Sequence, residues 1–429
     1  MTSLSRLGSA NTYDNALRNL STRQSALSSL QENLTSGKRV GRASDDPTSA
    51  AQAERALTRM SRIATDQRAL ESQRNSIATA ESTLGDVTDA LQNFRELVVS
   101  AGSATQTAAD RKTIAVQLTG LRDQILALAN TKDTNGLPLF SALGSALAPF
   151  VGPQSSAPDY TFNGLPGQSA SSEVAIPFAL DGDSAFMHQA TRDAVFNATV
   201  STIPAGRQLA TDNVTIANAA TAASTAALAF ASSGGLTDYP SYTIAFTAVD
   251  TTTTPGTTTA TYSITENPAV SGVIAPVTVS YASNTSIAVT AMPGLALTIT
   301  GTPAVGDSIT VDPSPSIFSV LDDAIRDIGS AANGGAATQA VSQALNNLDI
   351  GMGRVSTVRG QAGDLLNRAD NITDSQDKRS IQLETDRARA EDLDMVKGIS
   401  DFQNQQTGYQ AALQSYAQVQ KLSLFNYIG

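Results

Sequence analysis

Apolar residues recur every three or four positions toward both ends of the chain and every second position in its middle. This pattern predicts helices on either side of a segment of strands. Near the N-terminus, Leu17, Leu20, Leu27, Leu30 and Leu34 are compatible with one face of an amphipathic helix. Gly37 offers that helix a stop, and Lys38 and Arg39 stand where cations favour a helix C-terminus. Asp46 followed by Pro47 is a good N-cap and first-turn pair, so a second helix should begin there. Further along, Ile77, Ala80, Leu84, Val87, Leu91, Phe94 and Val98 alternate by three and four as a coiled-coil seam does, which calls for a partner helix. The C-terminal flank supplies candidates in Leu345, Leu348, Met352, Val355, Ala362 and Leu366, and again in Ile399, Phe402, Tyr409, Leu413 and Tyr416. The two termini are expected to pack together.

Proline marks off the middle, because it breaks helix interiors and central strands. Of the 16 prolines, all but Pro47 lie between Pro138 and Pro315. The flanks can therefore be helical for many turns, while the middle should consist of loops, turns and short strands. Alternating runs such as Tyr242, Ile244 and Phe246, or Ile287 and Val289, read as strands with one buried face. Pro255, Gly256, Asn267 and Pro268 read as turns. No Lys or Arg occurs between Arg207 and Arg326, whereas both flanks intersperse charges of both signs, so charge gives the same partition. The fold class that follows is mainly α with an inserted β domain: a long antiparallel coiled-coil stem built from both termini, and a β-rich outer part. The expected division is 1–45 with 388–429 as a terminal helical domain, 46–149 with 316–387 as a helical stem, and 150–315 as the inserted β-rich domain.

Composition narrows the function. With 28 Lys and Arg against 39 Asp and Glu, a net charge of -11 argues against nucleic acid or an anionic membrane as partner. The chain has no Cys, no Trp and a single histidine, His188. Thiolate nucleophiles, Cys-rich zinc sites and paired-His metal motifs are thereby removed. Aromatic residues make up only 5% of the chain, which favours long helices burying narrow seams and an elongated molecule. The N-terminus shows neither an apolar signal core nor a cleavage pattern, and no run of about 18 apolar residues occurs, so neither Sec export nor a membrane span is expected.

The few residues that hint at chemistry have simpler readings. Asp45 and Asp46 could be an acidic pair, but a helix cap explains Asp46. Asp181, Gly182 and Asp183 resemble a calcium loop only faintly, since no spaced carboxylates follow, and are read as a tight turn. His188 has no Ser or Cys partner placed by the sequence and is read as structural. The stretch from Gly351 to Val355 lacks the third glycine and the preceding strand of a phosphate loop, and Met352 and Val355 continue the helical seam. No catalytic residue, metal site or cofactor is expected.

Several segments carry a family resemblance. LTSGKRVGRASDDPTSAAQA, from Leu34 to Ala53, resembles the N-terminal signature of the flagellin family, and LQNFRELVVSAGSAT, from Leu91 to Thr105, resembles its second helix. LANTKDTNGLPLF, from Leu128 to Phe140, is similar to the turn that follows the next helix. The Pro after two Asp, the segments from Asp181 to Met187 and from Gly306 to Ile325, and the closing QQTGYQAALQSYAQVQKLSLFNYIG resemble the members that join hook to filament more than filament subunits. Roughly 205–235 and 250–272 have no recognisable counterpart.

The resemblance implies a non-enzymatic structural subunit of the bacterial flagellum, exported by the flagellar type III route and located outside the cell. It also implies terminal segments that order only on assembly. Implied partners are further copies of the chain in a ring, the other hook-associated junction protein, flagellin, and a cytoplasmic export chaperone. Seams at the extreme ends have little chain around them to cover their apolar side, so Leu17, Leu20, Leu27, Leu30, Leu34, Ile399, Phe402, Tyr409, Leu413 and Tyr416 are the expected assembly interface. Leu84, Val87 and Leu91 are expected to be intrachain core. The alternatives are a filament subunit, or a secreted adhesin-like module on a coiled-coil stalk.

Overall fold

The computed structural model of the 429-residue chain describes residues 3–155, 158–188, 193, 195–205, 207–235, 239–252, 256–282 and 285–428, with backbone alone for 3–12 and 419–428. Helices α1 (Ser3–Ser36), α2 (Pro47–Ala101) and α3 (Ala108–Ala129) come first. Then follow β1 (Phe150–Val151), β2 (Thr161–Phe162), α4 (Gly182–Phe186), β3 (Phe196–Ser201), β4 (Leu209–Thr211), β5 (Thr215–Ile216), α5 (Ala219–Ser232) and β6 (Ser241–Asp250). Strands β7 (Thr257–Asn267), β8 (Val277–Ala282), β9 (Ile287–Val289), β10 (Leu295–Gly301) and β11 (Ser308–Pro313) complete the middle, and α6 (Ile317–Ser330), α7 (Gly334–Glu391) and α8 (Met395–Ile428) close the chain. Two compact units result, residues 1–69 with 371–429 and residues 70–370, and the chain passes between them within α2 and α7.

Helix boundaries follow local chemistry. Gly37, at φ +71°, ends α1 in the left-handed conformation that glycine adopts without strain. Asp46 caps α2, its Oδ1 accepting from the backbone N–H of Thr48 and of Ser49, each at 3.2 Å. Thr107 and Asp110 form a reciprocal capping box at the start of α3, and Ser316 caps α6.

In the larger unit the α2 seam is core. Ile77, Ala80, Leu84, Val87, Leu91, Phe94 and Val98 are all buried, as are Leu348, Val355, Val358, Ala362 and Ala369 of α7. The larger of these side chains each contribute about 1.5–3 kcal/mol by leaving water. Arg74–Asp370, Glu81–Arg359 and Arg95–Asp349, at 2.7 to 3.1 Å along the rim, show α2 and α7 to be antiparallel. An aromatic group of Phe140, Phe150, Phe186 and Phe318 ties the loops after α3 to α6. Beside it, Arg122 donates to Tyr160 at 2.7 Å and to Asp322 at 2.5 Å.

The β module has a five-stranded antiparallel sheet ordered β3-β11-β6-β7-β8 and a smaller sheet in which β10 pairs with β4, β5 and β9. Its core draws on both: Tyr242, Ile244, Phe246, Tyr262, Ile309 and Val311 from the larger, and Ile287, Val289, Leu295, Leu297 and Ile299 from the smaller. The alternation along β7, and along β6 as far as Phe246 where the register shifts, is the period-2 signature of a sheet with one face inward.

The expectation of short strands and loops needs correction in two places. Strands β6 and β7 run for 10 and 11 residues, because β-branched and aromatic residues alternate without a proline in either. The segment without a family counterpart contains the 14-residue helix α5, whose alanines favour helix and whose cap is Asn218. Ala222, Ala226 and Ala229 let it lie close on the sheet. Gly294 faces it at φ +78°, where a Cβ would sit 2.4 Å from the Ala222 nitrogen.

An amide ladder joins α7 to the edge of the module. Gln339, Gln343 and Asn347, four residues apart, present their amides to the otherwise free edge of β3. Ala198 N–H donates to Gln343 Oε1 at 3.2 Å, Gln339 Nε2 donates to the Ala198 carbonyl at 3.3 Å, and Asn347 Nδ2 donates to the Phe196 carbonyl at 2.9 Å. Thr211 N–H donates to Gln339 Oε1 at 3.3 Å, which extends the ladder to β4. Side chains thus occupy the donors and acceptors that an edge strand would otherwise offer to another chain.

Candidate functional site

The ten residues expected at the assembly surface lie on α1 and α8. These helices pair antiparallel, with Leu34 near Gly398, Arg23 near Gly408 and Tyr13 near Tyr416. The structure divides the ten into two rows. Leu20, Leu27, Leu30, Leu34, Phe402, Tyr409 and Tyr416 are half-buried along the seam between the helices, while Leu17, Ile399 and Leu413 stand exposed beside it. Part of the row read as inter-subunit is therefore occupied within the chain, because the C-terminal helix folds back along the N-terminal one.

Two glycines of α8 face this seam: a Cβ on Gly398 would lie 3.5 Å from Leu34 Cδ2, and one on Gly408 would lie 2.7 Å from the Arg23 guanidinium, which is free to swing aside. At the far end the rings of Tyr13 and Tyr416 are 5.6 Å apart, and the Tyr416 hydroxyl donates to that of Tyr13 at 2.8 Å. This hydrogen bond raises the Tyr416 pKa above the usual phenol value.

Closure of the seam is incomplete. Among the described residues of α1 and α8 no large apolar side chain is fully buried. Tyr13 and Leu17 are each 41% exposed, Leu413 42%, Ile399 46% and Val396 81%. Two helices touching along one stripe cannot enclose it. From Phe402 to Gln418 α8 carries no charged residue, and its outward positions are mainly Gln, Asn, Ser and Thr. Such a face can be covered without the cost of desolvating charge.

The other candidates resolve into structure. Asp46 Oδ2 accepts from Ser49 Oγ at 2.6 Å, and these bonds with those from Thr48 hold its carboxyl far below the usual carboxylate range. Asp45 accepts from the Arg42 N–H, closing the turn before α2. Asp181 caps the short α4, accepting from Asp183 N–H and from Ser184 Oγ. His188 is buried, with Nδ1 3.2 Å from the Ser314 carbonyl. Gly351 to Val355 lie within α7. Among the described residues no helix is long and apolar enough to cross a membrane.

The sequence reading missed the amide ladder and the Arg122–Tyr160–Asp322 group. The ladder had a signal, polar residues at 339, 343 and 347 on one face of a helix, but its strand partner lies more than 125 residues away in sequence. The Arg122 group had none, since its members are spread over 200 positions.

Fold and site together define a helical protein whose N- and C-terminal helices pair with each other and whose sequence carries a β module inserted between its helical flanks. The bacterial flagellin N-terminal helical region matches residues 9–144 and the flagellin C-terminal helical region matches residues 338–428, together more than half of the chain. The chain belongs to the flagellin family. It is 37% identical over 141 residues to flagellar hook-associated protein 3 of Escherichia coli strain K12, covering 32% of this chain and 44% of that protein. It is 35% identical over 148 residues to the protein of the same name from Salmonella typhimurium, covering 34% and 46%. The chain thus matches somewhat less than half the length of these curated relatives. Its fold is similar to the crystal structure of flagellar hook associated protein-3 from Legionella pneumophila, with a TM-score of 0.57 at 24% identity, over 78% of this chain and 97% of that one.

Proposed function

We propose that this chain is a structural, non-enzymatic subunit of the bacterial flagellum that forms the junction between hook and filament. It lies outside the cell, in the flagellum, and assembles through its terminal helices. The observation that carries the reading is the half-open seam of α1 and α8, with Leu17, Ile399 and Leu413 left exposed beside half-buried Leu20, Leu27, Leu30, Leu34, Phe402, Tyr409 and Tyr416. The match to two hook-associated relatives supports the place in the flagellum.

On this reading residues 1–45 and 388–429 are the assembly part, 46–149 and 316–387 the stem, and 150–315 an outer module. Copies stack head to tail around an axis, burying the open seam against neighbours. The partners are other copies in a ring, the other hook-associated junction protein on one side and flagellin on the other. A cytoplasmic chaperone shields α8 before export.

Immunogold labelling of isolated flagella, combined with a Leu413→Asp variant, tests the proposal. Label should form a short band where hook meets filament, and the variant should be secreted yet fail to retain filament. Label along the whole filament would identify a filament subunit instead, and normal filaments on the variant would remove the seam from assembly.

A further inference from the structure

The chain crosses between the helices and the β module twice, and the two crossings lie against each other. Met187 bridges Ser316, His188 N–H donates to the Pro315 carbonyl at 2.8 Å, Ser314 N–H donates to the Val195 carbonyl at 2.9 Å, and Phe196 pairs with Pro313. Helix α6 holds both. Ser314 Oγ, on the second crossing, donates to Asp323 Oδ2 at 2.8 Å, and Asn197 Nδ2, where the first crossing enters β3, donates to Asp327 Oδ2 at 2.8 Å. Arg326 joins the two carboxylates, its Nη2 lying 2.9 Å from Asp323 Oδ1 and its Nε 2.9 Å from Asp327 Oδ1. The fork of a guanidinium can serve two carboxylates at once.

The charges around this joint do not balance. Asp159, on the loop before β2, accepts from Ser319 Oγ at 3.0 Å and adds a third negative group beside Asp323 and Asp327. Arg326 faces all three, while Asp322 turns instead to Arg122 and Tyr160. Asp183, Asp312 and His188 border the same cleft, of about 980 Å³, and His188 Nδ1 meets the Ser314 carbonyl. Asp323 is mostly covered, whereas Arg326 is largely open to solvent. Opening the joint would give a charged Asp323 access to water, from which a neutral one gains little. The Ser314 bond survives protonation, because a carboxylic acid still accepts at its carbonyl oxygen.

We propose that Asp323, Arg326 and Asp327 form a latch by which α6 holds both crossings, and that the latch tightens when Asp323 takes up a proton. Arg326 is the positioning residue that keeps the latch closed while Asp323 is charged. The position of the carboxyl supports this: burial pushes it up to about 6, against Arg326 and Ser314, so the closed joint is favoured in acid and weakens as pH rises through that value. The amide ladder of α7 holds β3 from its edge, so release of the latch loosens the crossings without detaching the module.

Hydrogen exchange on the full-length protein, read as protection factors, tests this at pH 7.5 and pH 5. Arg326→Gln should lower protection at His188 and Ser314 by about three- to tenfold at pH 7.5, the range of a partly exposed charge pair, and leave residues 77–98 unchanged. Protection should return at pH 5, and also at pH 7.5 when Asp323→Asn is combined with Arg326→Gln. In the parent, protection at these two amides should rise on going from pH 7.5 to pH 5, and Asp323→Asn alone should remove that rise. Unchanged protection in Arg326→Gln overturns the proposal, as does a loss that neither acid nor the second substitution restores. Should Arg326→Gln fail to fold, the parent and Asp323→Asn still decide: a rise that persists in Asp323→Asn would trace the response to His188 and overturn the latch. The crossings lie away from α1 and α8, so the outcome is independent of the assembly proposal and of its test.

Discussion

Two carboxylates illustrate how position fixes the behaviour of a single group. Asp46 receives hydrogen bonds from Ser49 and Thr48 that favour its charged form, so its folded pKa lies far below its unfolded value. The resulting stabilisation is present above the unfolded pKa, near 4, and is lost as pH falls through the folded value. Asp46→Ala should lower the urea midpoint at pH 7, and the difference from the parent should shrink as pH drops below about 4. Asp323 behaves oppositely. Burial pushes its carboxyl up to about 6, against the pull of Arg326 and Ser314 and aided by the nearby Asp327 and Asp159. A raised carboxyl contributes stability that is full below about 4 and is lost as pH rises through about 6. Asp323→Asn should therefore flatten the stability profile between those two values, as followed by urea unfolding across the range.

The apolar residues divide in the same way by position. Leu91 is completely buried and Leu413 is not. Leu91→Asp must place a carboxylate in a closed core, at a cost of several kcal/mol, and should unfold the stem. Leu413→Asp should shift the thermal midpoint of the monomer little while abolishing incorporation into flagella. Phe402→Asp, on the half-buried row, should weaken the pairing of α1 with α8 as well. Equal loss of monomer stability from Leu413→Asp and Leu91→Asp would make the terminal seam ordinary core.

Among the elements, α7 carries the most varied work. It offers apolar Leu348, Val355 and Val358 to the core and, in the turns just before them, the amides of Gln339, Gln343 and Asn347 to β3. Replacing Gln339 and Gln343 together with Leu would leave the Ala198 and Thr211 backbone groups without these partners, at a cost of about 1–3 kcal/mol for each buried group left unsatisfied. The double variant should show a lower denaturation midpoint and self-association through the exposed β3 edge, read by sedimentation. The helical period of α7 was legible from Leu348, Met352 and Val355, whereas the purpose of its polar stripe was not. Helix α5 was missed because proline and turn residues around it suggested irregular structure, although its alanine run and Asn218 cap carried the local signal.

For the whole molecule, the register of β3 against β11 sets Val200 opposite Ile309 and Ser201 opposite Ser308. Replacing residues 202–306 with a short turn should leave this pair as a hairpin against α7. The variant should keep the helical circular-dichroism signal of the stem and retain part of its export and junction formation, because an inserted module with its own core is separable from its support. Complete loss of export by a variant whose stem remains folded would contradict this.

The sequence by itself determined the order of helices, insert and helices, the start of α2 at Pro47, the end of α1 at Gly37 and the buried seam from Ile77 to Val98. Each follows from interactions within a few residues, or from a period that one strand of text displays. It also carried the family motifs on which the assembly expectation rests. Only the tertiary structure decided which face of α8 meets α1, and hence that Phe402, Tyr409 and Tyr416 lie between the helices while Leu413 and Ile399 do not. Only it brought Arg39 to the end of α7, Gln343 to β3 and Arg122 to Asp322. These contacts join residues 145 to 351 positions apart, and their geometry depends on the rotation of one element about its axis relative to another. Sequence periodicity leaves that angle open, and packing closes it.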